Sequence, residues 1–408
     1  MKQKFLSVIL FDKFSKVGYK RTIRDINFLI KSLKKKDKLL VIDLRKYYLG
    51  KKIVKNFSYK NSKIQYFKPK NIFDLIKFTK NKIIFSYGPI NPEIKTFLIF
   101  LIIRITGIRL FFFNSYGYYL NENTLDEPNI RFKIFYFIKW KFSYYFYRIL
   151  SLIKIFPSIL CYFETSDERI QKINNTKFKK IHQFFNLVDF NYFKKIRRIN
   201  SIYHDELFYK KYNNVKKNIV LIDSGLGHPD SLDKDSNYNK MNDKEIILFY
   251  KKILNKLENF SKKKKLKIYF CKHPKSYYPK NCFKNFKNIN FNFNADKHIF
   301  TAKYVFFTGG TSMINKAILL RKNFFILISK QTQKFSLRLL ESINLIFKLN
   351  YIDIDDKVDL LKNLTTSKLF NSKKYDKFIN KHLIFKRDVH SSNIIKDTLF
   401  EDNGKKEK

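Results

Sequence analysis

The sequence predicts an α/β protein built from two Rossmann-like domains, and three observations carry that prediction. Short apolar runs alternate with helix-period segments along most of the 408 residues. One stretch, residues 267–329, reads strand, loop, strand, Gly-rich turn, helix, strand, the order of a doubly wound unit. The composition, 45% hydrophobic and 18% aromatic, supplies real cores over a length suited to two ordinary domains, which excludes a disordered chain.

In chain order, residues 5–11 form the first apolar run. A Lys-rich helix with Ile23, Ile26, Phe28, Leu29 and Ile30 follows. Residues 39–44 read as a buried strand and 64–67 as a second, stopped by Pro69. A helix over about 71–80 leads to a strand at 83–87 that ends in Gly88-Pro89. Residues 93–106 read as a buried helix, and 110–113 as a strand ending in Asn114-Ser115-Tyr116-Gly117. Ser86, Gly88, Asn114 and Ser115 therefore stand at one predicted sheet edge. No Gly-x-Gly-x-x-Gly is present, so nothing indicates a nicotinamide or flavin cofactor.

Residues 131–156 interleave Lys and Arg with aromatics. As a helix they are apolar nearly all round, suited to a buried interdomain helix or to an anionic membrane surface. Residues 159–166 form another strand, with a helix from Asp167. The weakly patterned stretch 189–218 reads as the linker between a domain at 1–188 and a second at 219–400.

That second domain opens with a strand at 219–222 and a long loop at 223–242, which includes Gly225, Gly227, His228 and several Asp. Asp223 and His228 are its acid/base candidates. Residues 243–260 form an amphipathic helix. Asp243 stands two residues before Glu245 rather than three, which implies simple capping. After the central stretch come a helix at 335–346, a strand at 349–354 and helices at 358–364 and 374–385. A charged tail, 401–408, is expected to be disordered.

The central stretch carries the chemistry. One strand ends in Cys271-Lys272-His273-Pro274 and another in Thr308-Gly309-Gly310-Thr311-Ser312. Gly309 and Gly310 allow a sharp turn and a close ligand approach. Thr311 or Ser312 is placed to cap the next helix, whose N–H groups suit a phosphate. Pro274 ends its strand, and the His273 imidazole could hydrogen-bond a phosphate or a leaving oxygen.

Lys272-His273-Pro274 with Gly309-Gly310-Thr311-Ser312 resembles the HP and Ser/Thr motifs of bacterial sialyltransferase-like and capsule-type glycosyltransferases of the GT-B fold. The resemblance covers roughly residues 215–335. It implies two Rossmann-like domains facing a cleft, with the motif residues holding the nucleotide phosphate of the donor, often CMP. The family's general base comes from two acidic residues and a Gly. Here Asp223-Ser224-Gly225 offers one carboxylate, which makes Asp223 the candidate base. In such an architecture Ser86, Gly88, Asn114 and Ser115 would line the acceptor side.

The net charge is +50, from 84 Lys and Arg against 34 Asp and Glu. It is spread along the whole chain, and Lys, Asn, Ile, Phe and Tyr all have A/T-rich codons, so no partner follows from charge alone. Cys161, Cys271 and Cys282 make neither a metal pattern nor a disulfide framework and fit a reducing compartment. No secretory signal is expected at residues 1–11, and the apolar stretch 97–113 is interrupted by Arg104 and Arg109.

The resemblance implies transfer of a sugar from a nucleotide donor, sialic acid from CMP-sialic acid being one candidate, to a capsule or lipooligosaccharide glycan. No metal or cofactor is expected, and the protein is placed in the cytoplasm or at the inner membrane face. Two rivals stand beside it. One is transfer of a polyol phosphate from a CDP donor. The other is a non-enzymatic basic protein that binds nucleic acid or membrane.

Overall fold

The computed structural model describes residues 6–10, 16–31, 33, 37–45, 59–77, 83–87, 101–107, 109–114, 159–174, 195–208, 217–224, 242–273, 276–329, 351–356 and 372–401. The chain divides into two units. The first comprises Met1–Gly117, Ile134–Ile202 and Ile384–Lys408, and the second comprises Tyr118–Lys133 and Tyr203–Leu383.

Among the described residues the first unit holds seven strands: β1 (Leu6–Leu10), β2 (Leu39–Asp43), β3 (Ile64–Phe67), β4 (Ile83–Tyr87), β5 (Arg109–Asn114), β6 (Ile159–Glu164) and β7 (Ile196–Arg198). They lie in the order β3-β2-β1-β4-β5-β6-β7, all parallel. Helix α1 (Lys16–Lys31) connects β1 to β2. Its Ile26, Leu29 and Ile30 recur at helical spacing and pack with Val8, Leu39, Val41 and Phe111. A 3-10 turn (Ile72–Lys77) and helix α2 (Asp167–Asn174) are among its described connections.

In the second unit the strands are β8 (Asn218–Ile222), β9 (Lys267–Cys271), β10 (Ile289–Asn292), β11 (Ala302–Phe307), β12 (Asn323–Ile328) and β13 (Tyr351–Asp353). Their order is β10-β9-β8-β11-β12-β13, again all parallel. Counted from its own first strand, each sheet runs 3-2-1-4-5-6, the Rossmann order, with one strand added in the first unit. The inner strands need no alternation, because helices cover both faces of a parallel sheet; β8 is buried at every position.

Helix α3 (Ile202–Leu207) precedes β8, and α4 (Asp243–Lys264) joins β8 to β9. The apolar stripe of α4, from Ile246 to Phe260, is buried against Ile219, Leu221, Ile268, Phe270 and Phe306. Each such side chain is worth roughly 1.5–3 kcal/mol of transfer free energy. Helices α5 (Ala295–Ile299), α6 (Met313–Leu319) and α7 (Ser372–Phe378) follow, then a π-helical turn (Ile379–Leu383) and α8 (Ser391–Glu401).

Four expectations change. Helix α4 starts with a full capping box, because Asn242, not Asp243, is its N-cap. Asn242 Oδ1 accepts from Glu245 N–H at 3.0 Å, and Glu245 Oε2 accepts from Asn242 N–H at 2.7 Å. Strand β10 and helix α5 fill what read as a loop. Residues 289–292 alternate apolar and polar, as an edge strand with one covered face can. The expected linker at 189–218 contains β7 and α3, so only part of it connects.

Fourth, the expected second domain at 219–400 overruns, because residues from Ile384 onward belong with the first unit. Asn200 accounts for this. Its Oδ1 accepts from the N–H groups of Phe385 and Lys386 at 2.7 and 2.9 Å. Its Nδ2 donates to the carbonyls of Lys386 and Val389 at 2.9 and 2.5 Å. Ile395 and Leu399 of α8 then join the first unit's core. The helix expected at 93–106 is described over 101–106. The basic aromatic segment 131–156, the loop 225–241, the helices at 335–346 and 358–364 and the tail beyond Glu401 lie outside the described residues.

Candidate active site

Strands β8 and β11 lie side by side, yet their connections leave in opposite directions along the sheet. This is the topological switch point, where parallel α/β sheets bind ligands beyond the strands' carboxyl ends. Ile222, the last residue of β8, is in register with Cys271 of β9 and Phe307 of β11. The chain therefore leaves three adjacent strands at one level, as Asp223-Ser224, Lys272-His273 and Thr308-Gly309-Gly310-Thr311-Ser312. Three segments spread over ninety positions of sequence meet at one edge.

Asp223 is only 1% exposed. Its Oδ1 accepts from Tyr250 Oη at 3.0 Å and Thr308 Oγ1 at 2.8 Å. Its Oδ2 accepts from Ser276 Oγ at 2.9 Å and Tyr278 Oη at 2.6 Å. A carboxylate has about four lone-pair directions, and here four hydroxyls use them. Burial, reinforced by Asp223, pushes the Tyr250 and Tyr278 hydroxyls well above their ordinary range, so both stay protonated donors. A general base must reach the proton it removes. Asp223, expected as that base, has its oxygens covered and already engaged by these hydroxyls.

The hydroxyls around Asp223 reach onward to the backbone of the neighbouring loops. Tyr278 Oη accepts from His273 N–H at 2.9 Å. Thr308 Oγ1 accepts from Ser224 N–H at 2.9 Å, and Ser224 Oγ donates to the Gly309 carbonyl at 2.8 Å. His273 is half-buried, and its carbonyl accepts from Ser276 N–H at 3.1 Å.

Gly309 is buried and Gly310 half-buried. Neither has the positive φ that would demand glycine for a sharp turn, so what they contribute is the missing side chain. Thr311 and Ser312 are half-buried. Ser312 holds the N-cap position of α6 without a side-chain capping bond, and Thr311 Oγ1 makes one long contact with Met313 N–H at 3.4 Å. Capping therefore does not occupy the Ser312 hydroxyl.

Lys272, expected among the phosphate ligands, lies over aromatic rings. Its ammonium sits 4.5 Å from the ring centre of Phe283, 5.2 Å from Phe291 and 5.4 Å from Tyr278. Three aromatic faces attract the cation, and burial draws its pKa down. Among the acceptor-side candidates, Ser86 lies within β4 and Asn114 ends β5. Gly88, Ser115, Pro274 and His228 lie outside the described residues.

Ser224, Tyr250, Ser276, Tyr278 and Thr308 complete the site and were not singled out from the sequence. Tyr250 carried a usable signal, because a tyrosine on the apolar stripe of a buried helix needs a partner for its hydroxyl. Cys161, Cys271 and Cys282 are buried free thiols, and burial pushes Cys271 up to about 12 and Cys282 to about 11. Among the described residues no cluster of three or more His, Cys, Asp or Glu could hold a metal ion. Among them, too, no helix is long and apolar enough to cross a membrane.

No protein-family profile matches the chain, and no curated protein matches it. Solved structures do. The wall teichoic acid polymerase TagF with CDPG is 10% identical, with 100% of this chain and 90% of that one covered and a TM-score of 0.50. UDP-GlcNAc 2-epimerase from Neisseria meningitidis bound to UDP-GlcNAc is 10% identical over 98% of this chain and 100% of that one, at a TM-score of 0.46. A glycosyltransferase from Rickettsia africae is 13% identical over 98% of this chain and 100% of that one, at 0.43. At such identities the likeness bears on fold alone, and the polymerase is the match that carries it. The fold is α/β with two Rossmann-like domains, of the type the motif resemblance implied.

Proposed function

We propose that this protein is a transferase that takes a group from a nucleotide-activated donor, with the donor phosphates held at the β8/β11 switch point of the second unit. The observation that supports this best is the meeting of the His273 loop and the Gly309–Ser312 turn at one sheet edge, tied through Asp223. Donors placed where charge develops stabilise a leaving phosphate. The His273 imidazole, the turn's backbone N–H groups and the Thr311 and Ser312 hydroxyls are the groups assigned that work. Gly309 and Gly310 leave room for the phosphate to approach the main chain.

On this reading the reaction is glycosyl transfer to a surface glycan such as capsule or lipooligosaccharide. A cytidine nucleotide is the first donor to test, and CMP-sialic acid the first sugar nucleotide. The leaving phosphate is stabilised by protein groups without a metal, so activity should survive EDTA. The acceptor is a glycan or lipid-linked glycan met at the inner membrane face, with Ser86, Gly88, Asn114 and Ser115 as acceptor-side candidates. The likeness to TagF, a polymerase examined with CDPG, supports a second reading in which a polyol phosphate moves from a CDP donor.

A thermal-shift series with CMP, CDP, UDP, GDP and ADP tests the proposal, because a ligand bound only by the folded state stabilises it by about 2.7 kcal/mol at a hundred times Kd. The expected result is stabilisation by CMP or CDP that disappears in His273→Ala. Turnover of CMP-sialic acid against a CDP-polyol then separates the two readings. Silence with all five nucleotides overturns both and favours the basic nucleic-acid or membrane binder.

A further inference from the structure

We infer that Asp223 is a positioning residue, which sets the His273 loop and the Gly309–Ser312 turn in register so that both address one donor phosphate. The inference rests on the proposed donor site and goes beyond it by assigning the device that assembles it. The direction of the hydrogen bonds carries the argument. All four hydroxyls around the carboxylate donate to it, so the lone pairs of Tyr278 and Thr308 are turned outward. Each outward lone pair takes a backbone N–H, Tyr278 from His273 and Thr308 from Ser224. Ser224 in turn fixes the Gly309 carbonyl.

The route from His273 to Gly309 thus runs through one carboxylate and three hydroxyls, those of Tyr278, Thr308 and Ser224. Tyr250 brings the buried face of α4 to the same point. Asp223 is only 1% exposed and its oxygens are taken by four hydroxyls, so on this inference it acts through the loops. Replacing it with Asn keeps the shape and turns one acceptor oxygen into a donor. The two hydroxyls on that oxygen then lose their acceptor, and the backbone they hold loosens.

The test uses the full chain with Asp223→Asn, Tyr278→Phe and Thr308→Val. Tyr278→Phe and Thr308→Val each remove a single hydroxyl, so they serve if the Asn variant does not fold. The first readout is amide hydrogen exchange without ligand. Tyr278→Phe should speed exchange in the 309–312 turn, and Thr308→Val should speed it at His273. Loosening confined to each variant's own loop overturns the inference, whether or not any nucleotide binds.

The second readout is affinity for CMP or CDP, expected to fall about tenfold or more in Asp223→Asn, in line with two lost hydrogen bonds. Residual transfer should keep its wild-type pH profile. Unchanged affinity with a collapsed rate and a missing acid limb would instead make Asp223 the base. A wild type that binds no nucleotide defeats the donor-site proposal, while the exchange data still decide the coupling.

Discussion

Among the described residues, two buried carboxylates sit at strand ends, Glu164 at the end of β6 in the first unit and Asp223 just after β8 in the second. Both are fully provided with donors. Glu164 accepts from Tyr162 Oη at 3.0 Å, from Thr165 N–H and Oγ1 at 2.8 and 3.2 Å and from Ser166 N–H at 3.3 Å, all within two positions. Asp223 takes its hydroxyls from 27, 53, 55 and 85 positions away. The chemistry is alike and the reach is not. Residues within two positions supply these donors to Glu164, whereas three distant segments supply those of Asp223 and are tied together by it.

That contrast breaks most visibly under truncation. Asp223→Ala leaves two buried hydroxyls, of Tyr250 and Thr308, and two half-buried ones, of Ser276 and Tyr278, without their acceptor, so the loss should reach about 3–4 kcal/mol. Glu164→Ala should lose about 1–2 kcal/mol, because one local turn can open to water. Urea denaturation of the two variants checks this, and equal losses would remove the distinction.

The next test asks whether reach or chemistry matters more, using an amide instead of a carboxylate. Asn200 binds the backbone at Phe385, Lys386 and Val389, some 185 to 189 positions away. Asn200→Ala should destabilise by roughly 2–3 kcal/mol. It should also open the chain to trypsin at Lys386 and Arg387 while the second unit stays intact, as followed by limited proteolysis.

The smallest effect concerns alkaline pH. Burial raises Tyr250 and Tyr278 above the ordinary value of 10.0, with Asp223 adding to the shift. Unfolded tyrosines release protons at about pH 10 while these two hold theirs, so folded protein binds more protons and stability falls as pH rises beyond 10. Below that pH neither residue contributes a slope. Tyr278→Phe should flatten the decline in unfolding free energy between pH 9.5 and about 11, as measured by denaturant titration.

Most of the fold was legible because it is written in local apolar runs. Strands β8, β9, β11 and β12 are short stretches of Ile, Val, Leu and Phe ended by polar or glycine residues, a pattern that periodicity reads well. Strand β7 is not apolar. Ile196-Arg197-Arg198 becomes a strand through partners, with Arg198 bonded to Asp167 and to the Thr165 and Ile384 carbonyls. The strand-end loops of the site were legible for the same reason as the strands. The bonds that join them were not, since no window of sequence shows that Tyr250 and Tyr278 share an acceptor with Thr308. Lys272 shows the same gap: its neighbours in sequence point to phosphate, and its neighbours in space include the rings of Phe283 and Phe291.

The return of residues 384–401 to the first unit has a consequence for biosynthesis. A ribosome delivers β1 to β7 first, then the whole of β8 to β13, and only afterwards Ile395 and Leu399, which the first unit's core contains. Domains fold as units while the chain emerges. All the described strands of the second unit are therefore made before α8 is delivered to the first unit's core.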